Sequence, residues 1–127
     1  MSSAKHYECT VLVEAVFIPE QSDVEHNRYA FAYQVKITNT GNIPAQLISR
    51  HWIITEASGE QQEVKGLGVV GAQPLLQPSE HFDYTSGTVI NTPMGEMHGS
   101  YQMVAEDGHR FDVSIPSFAL SMPRVLH

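Results

Sequence analysis

The chain has 127 residues, 42% apolar and 17% charged, so it is long and apolar enough to fold as one domain with a core and is not disordered. Seven basic against fourteen acidic residues give a net charge of −7, which argues against a nucleic-acid partner, because backbone phosphates require clustered Lys and Arg. The single cysteine excludes an intrachain disulfide, and no apolar run resembles a signal or membrane span. We therefore expect a cytoplasmic protein with no membrane partner.

Alternation of apolar and polar residues predicts a series of β-strands. The first extends from Tyr7 to Phe17 with Cys9 on its apolar face, and the second covers residues 29–38. The third, residues 46–55, is apolar on both faces, with Ile48 and Trp52 assigned to one of them, which is typical of a central strand. A turn at residues 57–60 then leads into a short strand that ends near several glycines. Further strands are predicted at residues 81–86, 100–105 and 110–115.

The last two strands are predicted to form a hairpin. A three-residue loop, Asp107 to His109, would place Ala105 opposite Phe111 and Met103 opposite Val113, with the apolar residues on one face. Pro116 is expected to end the regular pairing.

No stretch of ten residues shows a helical stripe, and about seven short strands with frequent turns indicate an all-β fold. We predict a fibronectin-III/immunoglobulin-like antiparallel β-sandwich of about seven strands, with a core from about residue 7 to residue 120 of a single domain, 1–127. The absence of a disulfide favours the fibronectin-III type. Trp52 is placed in the core, and Tyr101 is a candidate for a tyrosine corner.

The stretch Gly66-Leu67-Gly68-Val69-Val70-Gly71 matches the G-x-G-x-x-G pattern of dinucleotide-binding turns. Such a turn needs a helix directly after it, since the helix N-terminus supplies N–H groups to the pyrophosphate. Here Pro74 and Pro78 follow, and no βαβ unit is present. The glycines are therefore interpreted mainly as backbone architecture, with a glycine-lined anion site as the alternative.

Histidine, cysteine, serine and arginine are the other side chains that could carry chemistry. The seven histidines lack metal-ligand spacing, so no metal site and no cofactor are predicted. Cys9 has the pattern of a buried, inert thiol. Ser49 and His51 share a strand face without an evident orienting acid, which does not predict catalysis. Arg50 is expected to form a structural ion pair at the sheet rim, with binding of a carboxylate or phosphate as the alternative.

The segments Arg28 to Gly41, Gln46 to Leu76 and Gly99 to Leu120 resemble the bacterial ApaG (ApaG/CorD-type) family, and the resemblance covers nearly the whole chain. Two places depart from it. Residues 77–80 read Gln-Pro-Ser-Glu where the family usually has Pro-Gly-Glu, and the loop at 95–99 lacks the usual basic residue. The glycine motif is a hallmark of this family.

The resemblance implies a single ApaG domain over residues 1–127 and a fibronectin-III-like sandwich. It also implies associations with diadenosine-tetraphosphate hydrolysis, by genetic neighbourhood, and with cobalt and magnesium tolerance, by name. Related domains occur in eukaryotic F-box proteins and in a polymerase-associated protein, where a role in protein recognition is expected.

The resulting hypothesis is a non-enzymatic module that binds an as yet unknown protein partner or a ligand and is linked to Co/Mg homeostasis. The alternative is a sensor of Mg²⁺, Co²⁺ or pyrophosphate-containing nucleotides such as diadenosine tetraphosphate, and a hydrolase is the third reading. Edge strands would also allow a homodimer. The candidate binding residues are Arg50, His51, Gly66, Gly68 and Gly71.

Overall fold

The computed structural model describes residues 4–123, which fold into two antiparallel β-sheets around a common core. The strands are β1 (Cys9–Phe17), β2 (Tyr29–Asn39), β3 (Ala45–Glu56), β4 (Gln61–Leu67), β5 (Leu75–Leu76), β6 (His81–Ile90), β7 (Met94–Ala105) and β8 (Arg110–Ser121). The small sheet has the order β1-β2-β6. The large sheet has the order β4-β3-β7-β8, with β5 paired to β3. The all-β sandwich is thus confirmed, and its two-sheet arrangement is consistent with the fibronectin-III-like type.

Inward-facing side chains of both sheets fill the core, as period-two strands require. Trp52 is only 3% exposed and packs edge-on against Tyr33 and Phe118, so its predicted core position is confirmed. Short 3₁₀ turns at Pro19–Gln21 and Val24–His26 lie between β1 and β2. Within residues 4–123, no helix is long and apolar enough to cross a membrane.

A β-bulge in β3 inverts the alternation of core-facing and outward-facing side chains along the strand. The register with β7 shifts between Leu47 and Ser49, so Leu47 and Trp52 both face the core although they are five positions apart. Ile48 is only half-buried, and its predicted place on the face of Trp52 is wrong. A continuous two-residue period cannot represent this strand, because one extra residue inverts all later side chains.

The β7–β8 hairpin has a three-residue loop, but the loop is Glu106 to Gly108. Met103 therefore lies opposite Phe111, and the predicted register is wrong by two residues, although the apolar residues share one face. Gly108 has a φ of +89°. The third position of such a loop requires a positive φ, which glycine adopts without strain and which His109 would have had to adopt in the predicted loop.

Pro116 does not end β8, which continues to Ser121. The β7–β8 register shifts between Met97 and Gly99, the part of β7 that faces Pro116, and β8 is the last strand of its sheet. The missing N–H of proline therefore removes no regular ladder bond.

Tyr101 is not a tyrosine corner, because its hydroxyl hydrogen-bonds to the hydroxyl of Tyr84 in the other sheet. Burial raises the pKa of Tyr84 to about 12. The pair joins the two sheets through the core.

The two lateral sides of the sandwich differ. On one side β1 of the small sheet packs against β8 of the large sheet. On the other side β4 and β6 each pair with only one strand among the described residues.

Candidate functional site

The glycine motif forms the end of β4 and a tight turn, with no helix after it. Val69 and Ala72 exchange backbone hydrogen bonds of 2.8 and 2.9 Å across Val70 and Gly71, whose φ values are +42° and +80°. Two consecutive positive φ angles are the signature of a type I′ turn. Gly68 has a φ of +65°, and a Cβ there would lie 2.4 Å from the carbonyl oxygen of Ala72. Gly68 and Gly71 are therefore required by the backbone.

Gly66 differs from these two glycines, since its missing side chain leaves room for the guanidinium of Arg50. The two residues face each other across β3 and β4, and Cζ, Nη1 and Nη2 of Arg50 all lie 2.8 Å from the position that a Cβ of Gly66 would occupy. Nη1 donates hydrogen bonds to the carbonyls of Leu67 (3.0 Å) and Gly68 (2.9 Å). The guanidinium thus covers Gly66 and holds the chain entering the turn.

Arg50 forms no salt bridge with a described carboxylate, so the expected ion pair at the sheet rim is replaced by hydrogen bonds to backbone carbonyls. Residues 50 and 101 also face each other across β3 and β7, which places Arg50 on the same side of the sheet as the buried Tyr101. The partners of Arg50 are therefore backbone carbonyls and not the carboxylate that the sequence favoured.

The same turn offers few N–H groups to an anion. The amides of Gly68, Val69 and Ala72 already donate to the carbonyls of Ile48, Ala72 and Val69 at 2.8–2.9 Å. An anion nest requires several successive free N–H groups, and within residues 68–72 only those of Val70 and Gly71 remain without a backbone acceptor. The local geometry therefore favours the architectural interpretation of the motif.

His51 points to the opposite side of β3 from Arg50, since neighbouring strand residues alternate. Its Nε2 lies 2.5 Å from Oε1 of Glu63, and Nζ of Lys65 lies 3.6 Å from the same oxygen. The hydrogen bond from His51, followed by the charge of Lys65, lowers the pKa of Glu63. Glu63 is an acid partner for His51 that sequence reasoning did not find.

Ser49 lies on the same face as His51, as predicted, but its hydroxyl donates to Oε1 of Gln102 at 2.8 Å. Gln102 in turn donates to the hydroxyl of Ser100 at 2.9 Å. The arrangement contains a histidine with an acid but no hydrogen bond between a nucleophile and that histidine, which nucleophilic catalysis needs.

These residues line a groove of about 490 Å³ where β3 meets β4 and β7. We call it the β3–β4 groove; its lining residues are Ser49, Arg50, His51, Lys65, Gly66, Leu67 and Gln102. None of the seven is buried, and Leu67 is 75% exposed.

Three of the predicted site residues, Arg50, His51 and Gly66, thus meet at one groove, while Gly68 and Gly71 lie outside its lining. Lys65, Leu67 and Gln102 were not among the predicted site residues, because their membership depends on strand pairing across the sheet.

Other possible sites carry less chemistry. No group of three or more His, Cys, Asp or Glu side chains in residues 4–123 is arranged to hold a metal ion. The half-buried Cys9 is a free thiol whose pKa is raised by burial to about 11, which suits the predicted inert role. A concavity of about 560 Å³ on the outer face of the small sheet, between Leu12 and Thr85, contains none of the predicted site residues.

Known proteins resemble this chain over its whole length. A family model described as the ApaG domain matches residues 19–105. Proteins named ApaG from Methylobacillus flagellatus and Aromatoleum aromaticum are 64% and 60% identical, with full coverage of both chains in each case. A crystal structure of a Bordetella pertussis protein given the name ApaA is 55% identical, with a TM-score of 0.91 over 97% of this chain and 100% of that one.

Proposed function

The chain belongs to the ApaG family, and we propose that it works as a non-enzymatic module that binds another protein through the β3–β4 groove. The observation that carries this proposal is the openness of the groove, since none of its lining residues is buried. Small-molecule sites usually enclose most of their ligand, whereas protein interfaces are broad and combine polar groups with apolar anchors.

The lining fits a peptide or protein surface of mixed polarity. Ser49, His51 and Gln102 present hydrogen-bonding side chains that are already held by one another or by Glu63, so little ordering is needed on binding. Leu67 supplies an apolar contact beside them and is 75% exposed in the free chain. The Arg50 clamp fixes the strand end that carries Leu67.

Binding is tested by making the same substitution at two exposed leucines, each of which lines a concavity. Leu67→Ser removes the apolar contact of the β3–β4 groove, and Leu12→Ser, at a residue that is 68% exposed, makes the same change on the small sheet. We expect proteins from native lysate to bind the wild type and L12S, and to bind L67S at least about tenfold more weakly.

Two outcomes of this experiment contradict the proposal. One is equal capture of the same proteins by L67S and the wild type. The other is no protein enriched above a control resin that carries the unfolded domain.

A second candidate is the sensor of pyrophosphate-containing nucleotides, Mg²⁺ or Co²⁺. For the nucleotides it is favoured by the two cationic side chains in the lining of the β3–β4 groove, Lys65 and Arg50, and for the cations by the family association with cobalt and magnesium. A ligand that binds the native state raises its melting temperature by mass action. A rise with millimolar diadenosine tetraphosphate, pyrophosphate, Mg²⁺ or Co²⁺ would support this candidate, and an unchanged melting temperature would count against it.

A hydrolase is the least supported function. Ser49 is bonded to Gln102 and not to His51, which leaves the candidate nucleophile without its base.

A further inference from the structure

The open edge of β4 carries hydrogen-bonding groups whose direction follows from its pairing with β3. Glu56 and Gly68 donate to the carbonyls of Glu60 and Ile48, so the even-numbered residues form the hydrogen-bonded pairs between these strands. In an antiparallel ladder, the alternate residues direct their N–H and C=O groups away from the partner. The outward groups of β4 belong to Gln61, Glu63, Lys65 and Leu67.

The charges on this edge distinguish between the ways in which two copies could pair. A two-fold axis at Val64 places Glu63 of each copy opposite Lys65 of the other, and Gln61 opposite Leu67. The two Glu63–Lys65 pairs join outward-directed residues whose backbone groups can exchange hydrogen bonds, whereas the carbonyl of Leu67 already accepts a hydrogen bond from Arg50.

Shifting the axis to either neighbour produces a like-charge contact. An axis at Glu63 makes this residue face its own copy, and an axis at Lys65 does the same for the lysine. Like charges directly opposite one another destabilise a sheet, and opposite charges stabilise it. The pattern Glu63-Val64-Lys65 therefore selects one antiparallel register for self-pairing.

Edge lysines usually prevent strands from pairing. On β4, Lys65 repels its own copy in one neighbouring symmetric register and Glu63 does so in the other, whereas the two residues attract each other in the register about Val64. The charges on the other open edge, β6, select no pairing register. Asp83 is the only carboxylate between His81 and Ile90, and that strand contains no lysine or arginine. A defined symmetric contact is therefore specified at β4 and not at β6.

We propose that two copies of this chain associate through antiparallel β4–β4 pairing about Val64, with Glu63 of each copy facing Lys65 of the other. The partner is thus a second copy of the chain. The contact joins the two large sheets into one continuous sheet, and an isologous two-fold interface of this kind closes on itself.

Sedimentation velocity of the full chain tests the association between about 1 μM and about 1 mM, the range expected of an interface of modest area. A concentration-dependent shift from monomer to dimer is expected, and it weakens at high salt. A monomer throughout this range would overturn the proposal.

Charge variants then test the register. E63K and K65E each create two like-charge pairs, so each alone should dimerise at least about tenfold more weakly than the wild type. The two variants mixed in equal amounts should associate, because the positive edge of one matches the negative edge of the other. The double exchange E63K/K65E should also restore the dimer.

Glu14→Lys and Lys36→Glu are the controls, since they change the net charge equally on the outer face of the small sheet and should leave dimerisation unchanged. Circular dichroism establishes that every variant is folded. Dimerisation that is insensitive to E63K and K65E, or a mixture of the two that stays monomeric, would overturn the proposal.

Amide hydrogen exchange gives a second readout that does not depend on mutation. Raising the concentration of the wild type should slow exchange at residues 61, 63, 65 and 67 and leave residues 83, 85 and 87 of β6 unchanged. Slowing on β6 alone would place the contact at the other edge and contradict the inference.

Discussion

Replacing Gly68 by alanine should destabilise the fold more than the same change at Gly71, although both glycines have positive φ angles of +65° and +80°. Nothing lies within 4 Å of a Cβ at Gly71, so G71A should cost only the left-handed backbone strain, about 1–2 kcal/mol. A Cβ at Gly68 would in addition lie 2.4 Å from the carbonyl oxygen of Ala72.

That carbonyl cannot move away without cost, because it accepts the 2.8 Å hydrogen bond from Val69 that closes the turn. Losing this bond and its packing adds about 1–3 kcal/mol, so G68A should cost roughly 2–5 kcal/mol in total. Urea denaturation of the two variants and of the wild type measures the difference, provided that the slopes agree.

Gly59→Ala serves as a further control, since Gly59 also has a positive φ (+92°) with nothing within 4 Å of its Cβ position, and it lies in a different loop. It should behave like G71A. Equal losses for G68A and G71A would refute the close contact with Ala72, and with it the explanation of why the middle glycine of the motif is needed.

Three further predictions concern other positions. Val70 is a β-branched residue at a φ of +42° and is 60% exposed, so V70N should raise the free energy of unfolding by about 1 kcal/mol. Urea denaturation measures this gain, and the same change at exposed Val16 in β1 should not stabilise the protein. Hydrogen bonds from Lys5, then from Tyr7 and the amide of His109, lower the pKa of Asp107, so the stability that its carboxylate contributes is complete at neutral pH and is lost as the pH falls below about 4. The melting temperature of D107N should therefore lie below that of the wild type at pH 7, and the two should converge below about pH 4. A D112N control should differ from D107N at pH 7. Because burial raises the pKa of Cys9 to about 11, a disulfide reagent at pH 8 should modify the native thiol about two orders of magnitude more slowly than the unfolded one, and equal rates would contradict the burial of this residue.

The strands with the simplest patterns were the most predictable from sequence. The two-residue period of β1 and β2 predicted both strands and the apolar face of β1 that carries Cys9. β5 was not predicted because Leu75–Leu76 is too short to show a period. The bulge in β3 and the continuation of β8 through Pro116 both depend on the neighbouring strand, which a single strand's pattern does not reveal.

The hairpin loops contained a usable signal. Gly59 and Gly108 both occupy the last position of a three-residue loop and have positive φ angles of +92° and +89°. Placing each glycine at that position yields the observed register of both hairpins. With the β3–β4 register known, the facing of Arg50 and Gly66 follows, and so does the proximity of Glu63 to His51.

The hydrogen bonds of Arg50 could not have been derived in this way. They depend on the path of the chain after β4, where Leu67 and Gly68 turn their carbonyls towards the guanidinium. An arginine in a half-buried strand suggests a carboxylate partner, but backbone carbonyls accept the hydrogen bonds of its guanidinium equally well.

The central claim is that Gly66, Gly68 and Gly71 build a turn clamped by Arg50 and do not form a nucleotide site. Titration of the isotope-labelled protein with diadenosine tetraphosphate and pyrophosphate, followed by amide NMR, tests it most directly. We predict no localised, saturating shifts at residues 66–71 or Arg50 at millimolar ligand. Saturating shifts clustered on these residues would contradict the account and establish the motif as a ligand site.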